Sequence, residues 1–139
     1  MRLSRLVAAL PLLLCTSLAA NADGPAISGR YVISRVATCY TPEPSFANVS
    51  GYAVFDPVAG TVAANGFEAS GQPPALNPFS GTTAYSNTAT EITVAGHVYK
   101  IFYGAVVGGI ATYASYIGVF PVPGGSCTYH LIISRAGAE

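Results

Sequence analysis

Polar and apolar residues alternate along much of the chain after residue 28. The stretch GRYVISRVATCY (Gly29 to Tyr40) shows this pattern, and a period of two places successive side chains on opposite faces of a β-strand. Charged residues make up only 9% of the chain, which contains 15 Gly and 9 Tyr. This composition disfavours helices and is typical of short strands joined by tight turns.

Segments rich in Gly, Pro, Asn and Ser divide the alternating pattern into eight predicted strands. The predicted strands are 29–41, 50–56, 60–68, 82–86, 91–94, 97–106, 110–120 and 127–135. An even number of short strands joined in sequence predicts an all-β fold, an eight-stranded antiparallel up-and-down barrel closed by pairing of the first and last strands. Asn65-Gly66 leaves a second reading of the third strand open, in which these two residues form a hairpin turn.

The beginning of the chain has the features of a secretory signal peptide. A basic start precedes an apolar run that is too short to be retained as a membrane span. Ala20-Asn21-Ala22 offers a cleavage site before Asp23, and a cut after Ala19 or Ala20 is also possible. We therefore predict a signal peptide at 1–22 and one β-barrel domain at 23–139, secreted or periplasmic.

The charges argue against two classes of partner. Six Lys and Arg balance six Asp and Glu, two of the basic residues lie in the leader, and the charges form no cluster. A nucleic-acid surface needs a basic stripe along the phosphates, and a peripheral anchor needs a polybasic segment. The sequence predicts no nucleic-acid binding and no membrane span after signal cleavage.

Three membrane arrangements compete with a secreted barrel. A lipid anchor at Cys15 is disfavoured because Leu14 occupies a position that requires a small residue. Residues 104–120 carry no charge and approach the length of a transmembrane helix, but their Gly, Tyr and β-branched content favours strands. An outer-membrane barrel requires strands of about 9–11 residues, longer than several of those predicted.

Cys39 and Cys127 are the two cysteines that follow the leader. An oxidising compartment favours a disulfide between them, and closing a loop of roughly 90 residues stabilises a fold by about 4–5 kcal/mol in the chain-entropy treatment. If the two cysteines lie opposite each other, the register of the first and last strands follows, unless it slips by two residues. The predicted partners are Ala37 with Tyr129, Arg35 with Leu131, Ile33 with Ile133, and Tyr31 with Arg135.

The two end strands resemble those of calycin-type secreted barrels, the lipocalins and avidins. Those families open the first strand with Gly-x-Trp and carry a basic residue near the end of the last strand that packs over the indole. The matching positions are Gly29, Tyr31 and Arg135, and the resemblance implies that Arg135 lies over the Tyr31 ring. The chain has no Trp, so avidin's biotin site is not implied. Residues 50–71 also resemble units of small secreted bacterial proteins of uncharacterised function.

Catalytic chemistry has little support in the residue pattern. The two histidines, His97 and His130, have no readable Ser-His-Asp or Cys-His arrangement around them. Glu68 and Glu91 are flanked by apolar strand residues, and acid-base work would require them to meet. Potential metal ligands are not grouped. We therefore predict no catalytic residues, no metal and no cofactor, and we favour a non-enzymatic function.

Tyrosines form the strongest candidate site. Five of them belong to the last three predicted strands, and inside a barrel their rings would pack a ligand while their hydroxyls orient it. The candidate ligand-binding residues are Tyr99, Tyr103, Tyr113, Tyr116 and Tyr129. The competing possibility is an interior filled by side chains. A hollow interior favours our leading hypothesis, binding of a small apolar ligand, and a filled one favours a protein-interaction module.

The predicted loop at 70–81 is a candidate contact surface for a protein partner. Its apolar side chains are Pro74, Leu76, Pro78 and Phe79, and they would form a lid or a contact surface. This loop, or the segment 23–28, would serve the second hypothesis, a module such as an inhibitor of a secreted hydrolase. Asn48 begins an Asn-Val-Ser sequon, which is glycosylated only in a eukaryotic host.

Arg35 raises a separate question, because it lies on the same face of the first predicted strand as Tyr31 and Cys39. Either that face is near solvent, or Arg35 is an inward charge that needs Glu68 or Glu91 as its partner. The inward arrangement would make Arg35 the first residue to test for function.

Overall fold

The computed structural model describes residues 24–42, 45–71 and 75–137. The predicted signal peptide, its cleavage site and Pro74 lie outside these ranges. The strands are β1 (Gly29–Tyr40), β2 (Ser45–Asp56), β3 (Thr61–Ser70), β4 (Ala75–Asn87), β5 (Glu91–Val94), β6 (His97–Val107), β7 (Ile110–Val122) and β8 (Gly125–Arg135). Each strand pairs antiparallel with the next, and β8 pairs with β1 to close the barrel. The predicted fold class is confirmed, and the architecture is consistent with a calycin-like barrel.

The disulfide and the closing register are also as predicted. Cys39 and Cys127 are bonded and lie opposite each other, and the four predicted cross-strand pairs of β1 and β8 are present. Tyr31 is therefore the register partner of Arg135. The arginines that lie over tyrosine rings in the described residues are Arg30, over Tyr52 at 4.3 Å, and Arg35, over Tyr129 at 5.3 Å, so the implied stacking of Arg135 on Tyr31 stays a prediction.

Two strands begin well before the predicted positions, since β2 begins at Ser45 and β4 at Ala75. The Pro and Gly content of 70–81 suggested a loop, but Leu76, Pro78 and Phe79 lie in β4. Within the described ranges, β5 pairs with β4 only at Tyr85–Asn87, so the first part of β4 is partnered by β3 alone. A strand segment that is partnered on one side only tolerates a residue without an N–H, which makes Pro78 compatible with β4.

Two segments whose local structure was ambiguous in the sequence form strands. Residues 104–120 lie in β6, a turn and β7, and no helix in the described part of the chain is long and apolar enough to cross a membrane. Gly66 lies inside β3 opposite Gly51, so Asn65-Gly66 is not a turn. A Cβ on Gly66 would lie 2.2 Å from the Ser50 carbonyl oxygen, so the close approach of β2 and β3 requires glycine there.

The segment before β1 closes one end of the barrel. Ala26 forms a parallel bridge with Ile110 at the start of β7, and Ile27 is completely buried. The Tyr85 hydroxyl donates to the Ile27 carbonyl at 2.7 Å, and the Asn87 side-chain amide donates to the Pro25 carbonyl at 3.1 Å. Ile27 therefore belongs to the core, and the other described residues of the predicted contact segment 23–28 are partly exposed.

Candidate functional site

The closed end of the barrel is filled by aromatic side chains from the inward face of the strands. Tyr31 and Phe55 meet edge to face with ring centroids 5.4 Å apart, and Phe55 and Tyr85 meet in the same way at 5.0 Å. The Tyr31 hydroxyl donates to the Ala111 carbonyl at 2.6 Å. These contacts fix the floor of the space above them.

Above this floor the barrel contains a partly open cavity of about 320 Å³. Its walls are mostly aliphatic and aromatic side chains contributed by all eight strands. The lining residues are Ile33, Arg35, Val49, Ala53, Phe55, Val62, Ala64, Glu68, Phe79, Gly81, Thr83, Ile92, Val94, Tyr99, Tyr116 and Leu131. The barrel is therefore hollow between its aromatic floor and its disulfide-bonded end.

The wall of the cavity is lowest between β4 and β6. β5, the strand between them, has only four residues, and among the described residues it leaves the first part of β4 without a partner on that side. Phe79 and Thr83 from β4, and Tyr99 from β6, line the cavity on the two sides of this low wall.

Arg35 faces inward and forms an ion pair with Glu68. The distance from Arg35 Nη2 to Glu68 Oε2 is 3.3 Å, and the side chains are 30% and 37% exposed. Both line the cavity, so one charged pair lies in an otherwise apolar wall. Glu91 pairs instead with Lys100, its register partner on β6. The question about Arg35 is thus answered by the inward arrangement with Glu68.

The five candidate tyrosines occupy different places. Tyr99 and Tyr116 line the cavity, whereas Tyr103 packs beside the buried core and donates to the Thr88 carbonyl at 3.1 Å. Tyr129 lies under the Arg35 guanidinium and beside Phe120. Tyr113 is 38% exposed, and its ring lies against Gly104. The structure thus corrects the lumen placement of Tyr113.

Burial changes the proton affinity of the cavity tyrosines. Desolvation raises the pKa of Tyr116 well above its usual range, and the neighbouring Tyr103, Tyr31 and Tyr85 raise it further. Desolvation also raises the pKa of Tyr99, while the Arg35 charge opposes that rise. Both hydroxyls are therefore protonated at neutral pH and are available as hydrogen-bond donors.

The candidate contact residues divide between the two faces of β4. Leu76 is 68% exposed, and Pro78 is also exposed. Phe79 is partly buried against the core and lines the cavity. Phe67, which is 54% exposed, is the register partner of Pro78. An outer apolar patch of Phe67, Leu76 and Pro78, which we call the β3–β4 patch, replaces the predicted loop.

The histidines lie on the outside of the barrel or at its rim. His130 is exposed, with its Nε2 3.4 Å from the Ser115 hydroxyl. His97 is exposed and meets the Phe120 ring edge to face at 5.0 Å. Among the described residues there is no group of three His, Cys, Asp or Glu side chains that could hold a metal ion. Asn48 of the sequon is exposed on β2.

The sequence interpretation missed the aliphatic and aromatic walls from the first five strands. Ala53, Phe55 and Val62 were not among the candidates, although the alternating pattern of β2 and β3 contains the necessary signal. Once the inward face of β1 is known, register assigns alternate residues of β2 and then of β3 to the lumen.

Comparison of the chain with protein-family models, with curated proteins and with solved structures found no significant match to any of them.

Proposed function

We propose that the barrel binds a small, mostly apolar ligand in its lumen and has no enzymatic activity. The observation that carries this proposal is the apolar cavity of about 320 Å³. Binding cavities for small molecules start at about 300 Å³, and they combine apolar walls with a few polar groups. The lumen has this composition, because Arg35, Glu68 and the tyrosine hydroxyls interrupt an otherwise apolar lining.

The cavity volume limits the size of the ligand. A cavity of about 150 Å³ accepts benzene, so a space about twice as large suits a molecule of roughly 10–14 non-hydrogen atoms. Naphthalene derivatives and unbranched chains of medium length fall in this range.

The test combines native mass spectrometry with a fluorescence titration. Protein purified from its host should carry a co-purifying small molecule, and the protein should enhance the emission of 1-aminonaphthalene. The chain has no Trp, so the probe signal is free of indole emission. Wild-type protein with neither a co-purified molecule nor a probe signal would contradict the proposal.

Matched variants show whether the probe enters the lumen. Ala64 lines the cavity and its neighbour Ala63 is exposed, so Ala64→Phe should weaken probe binding at least about tenfold while Ala63→Phe leaves it unchanged. Thr83→Phe and Thr82→Phe form a second such pair on β4. Equal probe affinity in both members of both pairs would place the probe outside the barrel.

Secretion and kinship with the calycins are part of the same proposal. A disulfide between Cys39 and Cys127 is typical of an oxidising compartment, and the features of 1–22 supply a signal peptide. The closed eight-stranded meander supports the relation to calycins. N-terminal sequencing of protein from the culture medium or periplasm should give Asp23 as the first residue.

The β3–β4 patch favours a second candidate function, a protein-interaction module such as an inhibitor of a secreted hydrolase. Phe67 and Leu76 expose large apolar side chains in one small area, which is typical of contact surfaces. If the wild-type protein inhibits a secreted hydrolase through this patch, the Phe67→Ser and Leu76→Ser variants should no longer inhibit that hydrolase. Val36→Ser, on the exposed face of β1, is the control. Inhibition unchanged by the two patch variants would remove the patch from this function.

A further inference from the structure

The hydroxyl of Tyr116 differs from those of the tyrosines that surround it. Tyr31, Tyr85 and Tyr103 each donate to a backbone carbonyl, at 2.6, 2.7 and 3.1 Å. Tyr116 is completely buried, its side chain lines the cavity, and its hydroxyl has no hydrogen-bond partner among the described residues. Leaving a buried polar group unpaired costs about 1–3 kcal/mol, so this position favours a ligand that supplies a partner.

A second unpartnered donor belongs to Arg35, whose side chain also lines the cavity. Its Nη2 contacts Glu68, but its Nε is buried and has no partner in the described part of the chain. A guanidinium nitrogen is only ever a donor, because the group stays protonated and offers no lone pair. Within the described ranges, two side chains that line the cavity therefore each carry an unpaired donor, one on β1 and one on β7.

Protonation keeps both groups in the donor state. Burial raises the pKa of the Tyr116 hydroxyl well above its usual range, and a guanidinium group offers donors only. Two donors call for an acceptor on the ligand, which a pure hydrocarbon does not have.

The charge of the site determines the kind of acceptor. Arg35 is already neutralised by Glu68 at 3.3 Å. A ligand carboxylate near Arg35 would place a second negative charge beside Glu68 in an apolar cavity, where like charges repel strongly. A neutral acceptor uses the free Nε donor without this repulsion.

We infer that the lumen selects a neutral, mostly apolar molecule with a carbonyl oxygen, such as a medium-chain ketone, aldehyde or ester, and that Tyr116 and Arg35 bind this oxygen. The inference rests on the proposed ligand-binding function and adds the chemical class of the ligand to it. Tyr116 and Arg35 act as binding residues, and Glu68 acts as the group that excludes anions.

Three probes of nearly equal size test the inference by displacement of 1-aminonaphthalene. They are 2-undecanone, its hydrocarbon isostere 2-methyl-1-undecene, and undecanoate. Tyr116→Phe should lower the affinity for 2-undecanone by roughly 5- to 30-fold, the range expected when a buried hydrogen bond is lost. The same substitution should change the affinity for the hydrocarbon by no more than about twofold, because the hydrocarbon makes no hydrogen bond. Tyr113→Phe, on the same strand and exposed, should change neither affinity.

Undecanoate tests the role of Glu68. Wild-type protein should bind undecanoate at least about tenfold more weakly than 2-undecanone, and Glu68→Gln should remove most of this difference because the repelling charge is gone. Undecanoate binding as tight as ketone binding in the wild type would overturn the inference, and so would a Tyr116→Phe variant that weakens ketone and hydrocarbon equally. Failure of all three probes and of 1-aminonaphthalene to bind would instead contradict the ligand-binding function.

Discussion

The Arg35 guanidinium and the Glu68 carboxylate form an ion pair inside the barrel, with 3.3 Å between Nη2 and Oε2. They are not on adjacent strands, since β2 lies between β1 and β3. The contact exists because the inward faces of β1 and β3 converge across the curved wall. It links the two charged groups that line the apolar cavity, and its energy can be measured.

We predict that Arg35 and Glu68 are energetically coupled. Arg35→Gln and Glu68→Gln should each lower the free energy of unfolding by about 1–2 kcal/mol, a modest figure because each side chain is about a third exposed. The loss of unfolding free energy in the double variant should be smaller than the sum of the two single losses by at least about 0.5 kcal/mol. Urea denaturation of the wild type, the two single variants and the double variant measures these losses. Strictly additive losses would contradict the coupling.

The closing segment before β1 should contribute as much to stability as a strand of the core. Ile27→Ala should lower the free energy of unfolding by about 2–4 kcal/mol, because it leaves a cavity at a completely buried position. Val58→Ala is the control, since Val58 is 97% exposed. Thermal unfolding followed by circular dichroism measures both, and a loss below about 1 kcal/mol for Ile27→Ala would contradict the assignment of this segment to the core.

Gly66 and Gly81 should respond differently to the same substitution. A Cβ on Gly66 meets the Ser50 oxygen at 2.2 Å, whereas one on Gly81 meets nothing within 4 Å among the described residues. Gly66→Ala should therefore lower the free energy of unfolding by about 1–3 kcal/mol through steric overlap. Gly81→Ala should be neutral or stabilising by up to about 1 kcal/mol, because it restricts the unfolded chain. Denaturant midpoints compare the two, and equal effects would contradict the close approach of β2 and β3.

Stability should fall at alkaline pH. Burial, with smaller contributions from the charges of Asp56 and Tyr31, raises the pKa of Tyr85 to about 12, and burial also raises the pKa of Tyr31, Tyr99, Tyr103 and Tyr116. The unfolded chain releases these protons near pH 10, before the folded one does, so it binds fewer protons above that pH. The stabilisation is complete below about pH 10 and is lost as pH rises through the folded values.

Spectrophotometric titration at 295 nm checks this prediction. Part of the tyrosine absorbance change should appear only together with the loss of the β-sheet circular dichroism signal, since the buried hydroxyls ionise when the barrel opens. Tyr85→Phe should reduce the delayed part of the change. Complete ionisation of all 9 tyrosines in a barrel that remains folded would contradict the raised pKa values.

Much of the fold follows from local pattern. Alternation and turn residues gave the eight strands and their order, and the two cysteines gave the closing register of β1 and β8. The starts of β2 and β4 could not be obtained in this way. Pro78 is an argument against a strand in any local interpretation, and it is tolerated only because β5 is too short to pair with that part of β4.

The site was less accessible to sequence reasoning. The inward face of β1 follows from the register, but the choice between Glu68 and Glu91 as the partner of Arg35 depended on the pairing of β2, where Val49 is the register partner of both Arg35 and Glu68. Glu91 is held by Lys100 on the neighbouring strand, and Glu68 is left for Arg35. Tyr113 was counted among the candidates with Tyr116, but the two are three residues apart on β7, so a period of two places them on opposite faces, and Tyr116 is the one that lines the cavity.

The sequence by itself determined the strand number, the antiparallel order and the disulfide-closed seam, because these depend on a period of two and on pairs of residues that meet along two strands. Only the tertiary structure decided that the barrel is hollow, that Tyr116 has an unpaired hydroxyl in the described part of the cavity, and that Arg35 is neutralised by Glu68. The physical reason is that an interior is filled or left open by the summed volumes and directions of side chains from all eight strands. A local sequence pattern does not report the combined volume and direction of side chains from all eight strands.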